Sequence, residues 1–121
     1  QYDKTKAIKV AGGFKFVTTK STDQLKAALV NSVVSVGVQA DQDGFHLYKS
    51  GVVTKNCGAA LNHAVLAVGY TKVDGVEAFI VKNSWSTAWG QDGYIYIGTD
   101  QTQNNGKGVC GILGEPVIAT N

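Results

Sequence analysis

Residues 63–83 read HAVLAVGYTKVDGVEAFIVKN, and this stretch decides the fold class. Its two ends, 63–70 and 78–83, are rich in β-branched and aromatic residues, which is typical of β-strands. Asp74-Gly75 lies between them, and an Asp-Gly pair between two apolar runs is a strong hairpin signal. The stretch therefore predicts two strands joined by a tight turn.

The second of these strands carries a polar side chain toward the core. Phe79, Val81 and Asn83 share one face, because alternate residues of a strand point the same way. A carboxamide on the core-facing side needs a hydrogen-bond partner. The sequence therefore predicts that Asn83 pairs with another polar group at the end of this strand.

The flanking sequence adds further strands and one short helix. Strands are predicted at residues 14–17, 33–39 and 94–98. The helix begins at the capping-box sequence of residues 21–24. Residues 40–60 read as a long loop, and residues 109–113 as a final short strand. We expect a single, mainly β domain over residues 1–121.

Composition excludes several classes of function. The net charge of +2 comes from scattered lysines with no run of four basic residues, so a nucleic-acid partner is not expected. No segment approaches the about 20 apolar residues of a membrane span, and residues 1–20 lack the pattern of a secretion signal. Gln1 is not an initiator residue, so we expect the chain to begin at a cut.

The chain has two histidines, and their surroundings differ. His63 opens the first strand of the hairpin, whereas His46 lies in the polar loop. Asn83 can orient the His63 ring, and Trp85 and Trp89 can shield their hydrogen bond from water, which strengthens it. By itself, a histidine at the start of a strand is more often a satisfied core residue than a catalytic one.

Five short motifs favour a catalytic role for His63 over a purely structural one. In their order and spacing they resemble the papain family of cysteine proteases, which includes the cathepsins. They are Asn62-His63-Ala64-Val65, Gly69-Tyr70, Lys82-Asn83-Ser84-Trp85, Trp89-Gly90 and Gly93-Tyr94. The resemblance spans the second half of the family's mature domain. It implies the C-terminal, right-hand lobe, an antiparallel, barrel-like β structure with one short helix and one disulfide.

The resemblance also implies roles for three residues. His63 would hold the proton of a cysteine thiol as an imidazolium and later protonate the leaving amine. Asn83 would accept a hydrogen bond from the other ring nitrogen, and Trp85 would cover that bond. The implied reaction is hydrolysis of peptide bonds in a peptide or protein substrate, with no cofactor and no metal.

Neither cysteine matches the family's nucleophile. Cys57 and Cys110 match a family disulfide, although one of them as a reactive thiol is an alternative. The family's nucleophile opens a helix in a Gly-Ser-Cys-Trp type of motif, and residues 1–56 contain nothing similar. Residues 1–12 resemble the segment that crosses between the two lobes. The chain alone is therefore expected to be inactive and to need an N-terminal lobe that carries the thiolate.

The resemblance further implies a pocket for the second residue upstream of the scissile bond. Gly37, Leu61 and Ala64 would make its walls apolar, and Glu115 at its floor would also accept arginine. A solvated glutamate near the C-terminus is the competing interpretation of Glu115.

Two further expectations concern the location of the protein and alternative functions. The disulfide implies an oxidising compartment, lysosomal, vacuolar or secretory. Ser84 with His63 could suggest a serine hydrolase, but the Gly-x-Ser-x-Gly elbow and a suitable acid are absent from the sequence. The alternative from a different class is a non-catalytic module that binds a partner or forms a homodimer through the exposed cleft face.

Overall fold

A computed structural model describes residues 13–120, and it is mainly β as predicted. The seven strands are β1 (Gly13–Phe16), β2 (Val34–Val38), β3 (Val52–Val53), β4 (His63–Val73), β5 (Val76–Lys82), β6 (Tyr94–Gly98) and β7 (Val117–Thr120). The helices are α1 (Thr22–Leu29) and α2 (Asp43–His46), with 3-10 turns at Gln103–Gly106 and Val109–Gly111. The predicted crossing segment, residues 1–12, lies outside the described residues.

All seven strands form a single sheet in the order β1-β7-β2-β4-β5-β6-β3. Neighbouring strands are antiparallel, except that β3 runs parallel to β6. The sheet is open, so the expectation of a barrel-like closure is wrong in this respect. Among residues 13–120, the two edge strands do not meet: β1, with four residues, pairs only with β7, and β3, with two, pairs only with β6.

The predicted hairpin is the centre of the sheet. β4 and β5 pair from Val73 opposite Val76 at the turn to Leu66 opposite Lys82. Asp74 and Gly75 both have positive φ angles, 50° and 82°, as a tight two-residue hairpin turn requires. The hairpin prediction is confirmed, and it brings the start of β4 close to the residues that follow β5.

The short helix α1 also forms where its capping sequence predicts. The Ser21 hydroxyl accepts a hydrogen bond from the backbone N–H of Gln24 at 3.2 Å. Leu25 and Leu29 are buried against the sheet. Lys26 on the outer side reaches Glu77 of β5 at 2.9 Å, which ties the helix to the hairpin.

Two segments differ from their predictions. Residues 40–60, expected to be a loop, contain α2 and β3, and Phe45 of α2 is completely buried. Elements of four and two residues are too short to give a periodic pattern. Residues 109–113, expected to be a strand, begin with a 3-10 turn, because Cys110 has a φ of 59° that no extended strand can accommodate.

The core lies on one face of the sheet. Alternate residues of the central strands are buried there: Val34, Val36, Val38, Val65, Ala67, Phe79, Val81, Ile95 and Ile97. Cys57 and Cys110, both part of this core, are joined by a disulfide that spans 53 positions of sequence. Within the described residues, no helix is long and apolar enough to cross a membrane.

Candidate active site

His63 and Asn83 form a direct hydrogen bond. His63 begins β4 and Asn83 follows the last residue of β5, so the hairpin brings the two side chains together. His63 Nε2 lies 2.7 Å from Asn83 Oδ1. The same oxygen accepts the backbone N–H of Ser84 at 2.7 Å, which fixes the orientation of the carboxamide.

This contact determines which ring nitrogen of His63 is available. A carboxamide oxygen carries no proton and only accepts hydrogen bonds. Nε2 of His63 must therefore be the protonated nitrogen in its bond to Asn83. In the neutral ring, Nδ1 then has a free lone pair and can accept a proton from a group outside this pair.

Asn83 is held firmly at the end of the strand. The whole residue is 6% exposed, and its backbone N–H donates to the carbonyl oxygen of Gly93 at 3.0 Å. Its Nδ2 has no hydrogen-bond partner among residues 13–120. A buried amide donor without a partner costs free energy. The two hydrogen bonds that Oδ1 of Asn83 accepts offset this cost.

An aromatic cluster covers the pair. Trp85 stacks on the His63 ring with centroids 5.0 Å apart and an interplanar angle of 28°. Phe45 meets Trp85 edge-on at 5.4 Å, and Trp89 stacks on Phe45 at 4.9 Å. Trp85 thus contacts the His63 ring directly, whereas Trp89 contacts Trp85 and Phe45 behind it.

His46 is a neighbour of this cluster that the sequence did not identify. It ends α2, and its ring lies edge-on to Trp85 with centroids 5.9 Å apart. Trp89 Nε1–H donates to the His46 carbonyl at 3.2 Å. Trp85 therefore lies between the two histidines, and sequence spacing gave no signal for this arrangement.

The loop between the two tryptophans has an unusual backbone. Ser86 has a φ of 116°, in a region that favours glycine. Its hydroxyl accepts the N–H of Ala88 at 3.2 Å, and its carbonyl accepts the N–H of Trp89. Side chain and backbone of Ser86 thus stabilise a turn in which glycine would be the less strained residue.

Three of the four predicted pocket residues lie together. Gly37 of β2 is paired with Ala64 of β4, next to His63. A Cβ atom added to Gly37 would lie 3.1 Å from Leu61 Cδ1, so the absence of a side chain at Gly37 leaves room beside Leu61. Glu115, the fourth of these residues, is exposed. Its neighbour Gly114 lies close to Leu61, since a Cβ atom added to Gly114 would be 3.2 Å from Leu61 Cδ1.

A groove on the outer face of the sheet adjoins the pair. Its volume is about 350 Å³. It is lined by Ser35, Ala64, Val65, Leu66, Lys82, Asn83 and Ser84. Leu66 is 40% exposed on this face, which is unusual for a residue of a central strand. The alternation of β4 marks Leu66 as outward-facing, but only the register shows which residues surround it.

Both cysteines of the sequence form the disulfide. The 121-residue chain contains two cysteines, Cys57 and Cys110, and they are bonded to each other. The predicted pairing is confirmed, and the alternative that one of them is a reactive thiol is wrong. A thiol near His63 would have to come from another polypeptide segment.

Comparisons with known proteins identify the family of the chain. The model of the papain family cysteine proteases matches residues 1–120. A cysteine proteinase of Brassica napus is 40% identical over 112 residues, which are 93% of this chain and 34% of that protein. Cysteine proteinase 2 of Entamoeba histolytica is 42% identical over 112 residues, which are 89% of this chain and 34% of that protein.

Solved structures show the same fold. Bromelain from Ananas comosus superimposes with a TM-score of 0.84 and 36% identity, covering 91% of this chain and 50% of the bromelain chain. A cysteine protease of Carica candamarcensis gives a TM-score of 0.83 and 34% identity, covering 96% of this chain and 52% of that one. The chain spans about a third of the length of the curated relatives above. It belongs to the papain family of cysteine proteases.

Proposed function

We propose that this chain supplies the histidine and asparagine of a cysteine-type endopeptidase whose nucleophilic thiolate is carried by an N-terminal half. The observation that carries the proposal is the 2.7 Å contact between His63 Nε2 and Asn83 Oδ1. It leaves Nδ1 of His63 as the nitrogen that exchanges a proton with the thiol. The family's relatives, named as cysteine proteinases, support the reaction class.

The proposed roles follow the movement of one proton. His63 Nδ1 takes the thiol proton, so the resting pair is an imidazolium and a thiolate. The thiolate attacks the peptide carbonyl, and the imidazolium gives its proton to the leaving amine. Water then adds to the acyl-enzyme, with His63 taking one of its protons, and the thiolate is released. Asn83 keeps the ring oriented without adding a negative charge.

The outer groove is the proposed docking surface for the half that carries the thiol. Four exposed residues face outward in a row across β2, β4, β5 and β6: Ser35, Leu66, Lys82 and Tyr94. The groove is also lined by Asn83, so a polypeptide bound in it would lie beside the His63–Asn83 pair. Burying Leu66 there removes apolar surface from water.

The proposed substrate contacts lie beside His63. The space next to Gly37, Leu61 and Ala64 would take an apolar side chain two residues upstream of the scissile bond. Glu115 would extend this preference to arginine through a charge-assisted hydrogen bond. The disulfide fits an oxidising compartment, and we propose a vacuolar, lysosomal or secreted location.

Reconstitution tests the proposal. The chain alone, the separately produced N-terminal half and their mixture are assayed with a fluorogenic peptide, while sedimentation records the assembly. We expect turnover from the mixture only, and none when the chain carries His63→Ala. Turnover by the chain alone would refute the proposal. A stable homodimer that prevents binding of the N-terminal half would favour the non-catalytic module instead.

A further inference from the structure

Tyr48, which lies just after α2, is a buried polar residue that the proposed mechanism does not use. It is 7% exposed, and its backbone N–H donates to the carbonyl oxygen of Phe45 at 3.2 Å. Its side chain reaches both β6 and the turn of residues 89–94, here called the Trp89 turn. A buried hydroxyl at such a junction can hold separate segments of the chain together by hydrogen bonds.

The Tyr48 hydroxyl forms three hydrogen bonds. It donates to the carbonyl oxygen of Gly51 at 2.7 Å. It accepts a hydrogen bond from Gln91 Nε2 at 2.7 Å and another from the backbone N–H of Tyr96 at 3.4 Å. A phenolic hydroxyl acts as donor and acceptor at once. This single group therefore joins the loop before β3, the Trp89 turn and β6.

The ring of Tyr48 also packs against the Trp89 turn. Its centroid lies 5.8 Å from that of the Trp89 ring, at an interplanar angle of 43°. Gly90 has a φ of 60°, and a Cβ atom added there would lie 3.2 Å from Tyr48 Cδ2. The backbone of the turn thus passes close to the tyrosine ring, which fixes the turn by packing as well as by its hydroxyl.

The Trp89 turn supports the His63–Asn83 pair. The N–H of Gly93 donates to the carbonyl oxygen of Trp89 at 2.9 Å, and the Gly93 carbonyl oxygen accepts the N–H of Asn83 at 3.0 Å. Gln91 and Tyr94 exchange two backbone hydrogen bonds, both of 3.0 Å. Because these bonds make the turn a unit, a displacement of Gln91 would be passed on to the backbone of Asn83.

We propose that Tyr48 is a positioning residue for the reaction, an inference that rests on the proposed function. It anchors the Trp89 turn, and the turn in turn holds the Asn83 carboxamide that orients the His63 ring. Tyr48 acts on the geometry of the catalytic pair and not on substrate binding. Removing its hydroxyl should lower kcat by about two- to tenfold, the effect of one net hydrogen bond, and leave KM nearly unchanged.

The test compares Tyr48→Phe with the wild type in the full-length protease that contains this chain. The substitution removes the hydroxyl and keeps the ring that packs on Trp89. Rates are expressed per titrated active-site thiol, so that a loss of folded enzyme does not register as a loss of kcat. We expect the lower kcat and the nearly unchanged KM given above. Tyr70→Phe, which removes a hydroxyl from a 45% exposed residue of β4, is the matched control and should behave like the wild type.

A second variant and a spectroscopic signal support the assignment. Gln91→Leu removes one of the same hydrogen bonds from the other side and should also lower kcat. The double variant Tyr48→Phe, Gln91→Leu should be about as slow as Tyr48→Phe alone, because both changes break one shared interaction. In protease labelled with fluorotryptophan, the fluorine resonance of Trp89, assigned by its loss in Trp89→Phe, should shift in Tyr48→Phe and stay in place in Tyr70→Phe.

The possible outcomes separate this inference from the proposed function. A wild-type kcat in Tyr48→Phe would overturn the inference, and so would an unshifted Trp89 resonance or an effect confined to KM. If Tyr48→Phe does not fold, the kcat of Gln91→Leu decides by the same criterion. A folded wild-type protease that cleaves no peptide would refute the proposed function and this inference with it.

Discussion

The Asn83 carboxamide oxygen lies 2.7 Å from His63 Nε2, although the two residues are 20 positions apart in sequence. The β4–β5 hairpin creates this proximity, and the Ser84 N–H fixes the carboxamide by donating to the same oxygen. The partner of the imidazole is therefore neutral and rigid. It can set the ring's orientation and tautomer, but it gives the imidazolium no countercharge.

Replacing Asn83 tests this division of roles. In the full-length protease, Asn83→Ala should lower kcat by about a hundredfold at most, whereas loss of the proton carrier His63 should abolish measurable turnover, a loss of about 10⁴-fold or more. The first change removes orientation and the second removes the acid and base. Steady-state kinetics on one peptide measures both. Ser84→Ala is the matched control, because it keeps the backbone N–H that binds Asn83. A loss in Asn83→Ala as large as that in His63→Ala would contradict the account.

Glu115 makes a prediction about substrate choice. If its carboxylate reaches the upstream pocket, Glu115→Ala should selectively weaken cleavage of peptides with arginine two residues before the scissile bond. Leucine and phenylalanine peptides should be unaffected, because in the proposed pocket Gly37, Leu61 and Ala64 would supply the apolar contacts. Values of kcat/KM for paired arginine and leucine peptides measure the effect. An equal loss for both peptides would show that Glu115 is a solvated surface residue.

The disulfide makes a prediction about stability. Cys57 and Cys110 are separated by 53 positions, and a loop of that length corresponds to about 4 kcal/mol in the chain-entropy model. The double variant Cys57→Ala, Cys110→Ala should therefore lower the free energy of unfolding by about that amount. Urea unfolding of the chain followed by circular dichroism measures it. A chain of unchanged stability would mean that the core alone holds the 57 and 110 segments together.

The bridge between α1 and the hairpin makes a prediction about pH. The hydrogen bond from Lys26, and then its positive charge, lower the pKa of Glu77 below the ordinary 4.5. A carboxyl group whose pKa is lower in the folded state stabilises the fold above its unfolded pKa, and this contribution is lost as the pH falls through the folded value. Glu77→Gln should therefore destabilise the chain near neutral pH and have little effect at about pH 2.

The measurement for Glu77 is a pair of urea titrations at the two pH values. Thr99→Val is a useful control, because the Thr99 hydroxyl gives Glu77 only a longer, 3.3 Å hydrogen bond. An equal difference between wild type and Glu77→Gln at both pH values would show that the ion pair with Lys26 does not contribute.

The predictable parts of the fold are those with long, regular patterns. The hairpin, α1 and β6 follow from alternation, a turn pair and a capping sequence, all of which are local. The open sheet could not be predicted, because closure depends on whether short edge strands meet. Segment 109–113 turned out differently because Cys110 adopts a left-handed conformation that composition does not reveal.

The same distinction applies to the candidate site, where some residues are predictable from local sequence and others are not. The alternation of residues 79, 81 and 83 marks Asn83 as core-facing, and the surrounding motifs mark His63. The position of His46 beside Trp85 could not be anticipated, because the two residues come from separate segments of the chain. Their approach to one another depends on α2, a four-residue helix that leaves no periodic signal.

The measurement that tests the central claim most directly is peptide hydrolysis by the full-length protease carrying His63→Ala. Circular dichroism establishes that the variant is folded, and titration of the active-site thiol establishes that the nucleophile is present. The account predicts a folded enzyme with an intact thiol and no measurable turnover. Turnover at the wild-type rate would contradict it, because His63 would then not be the group that moves the proton.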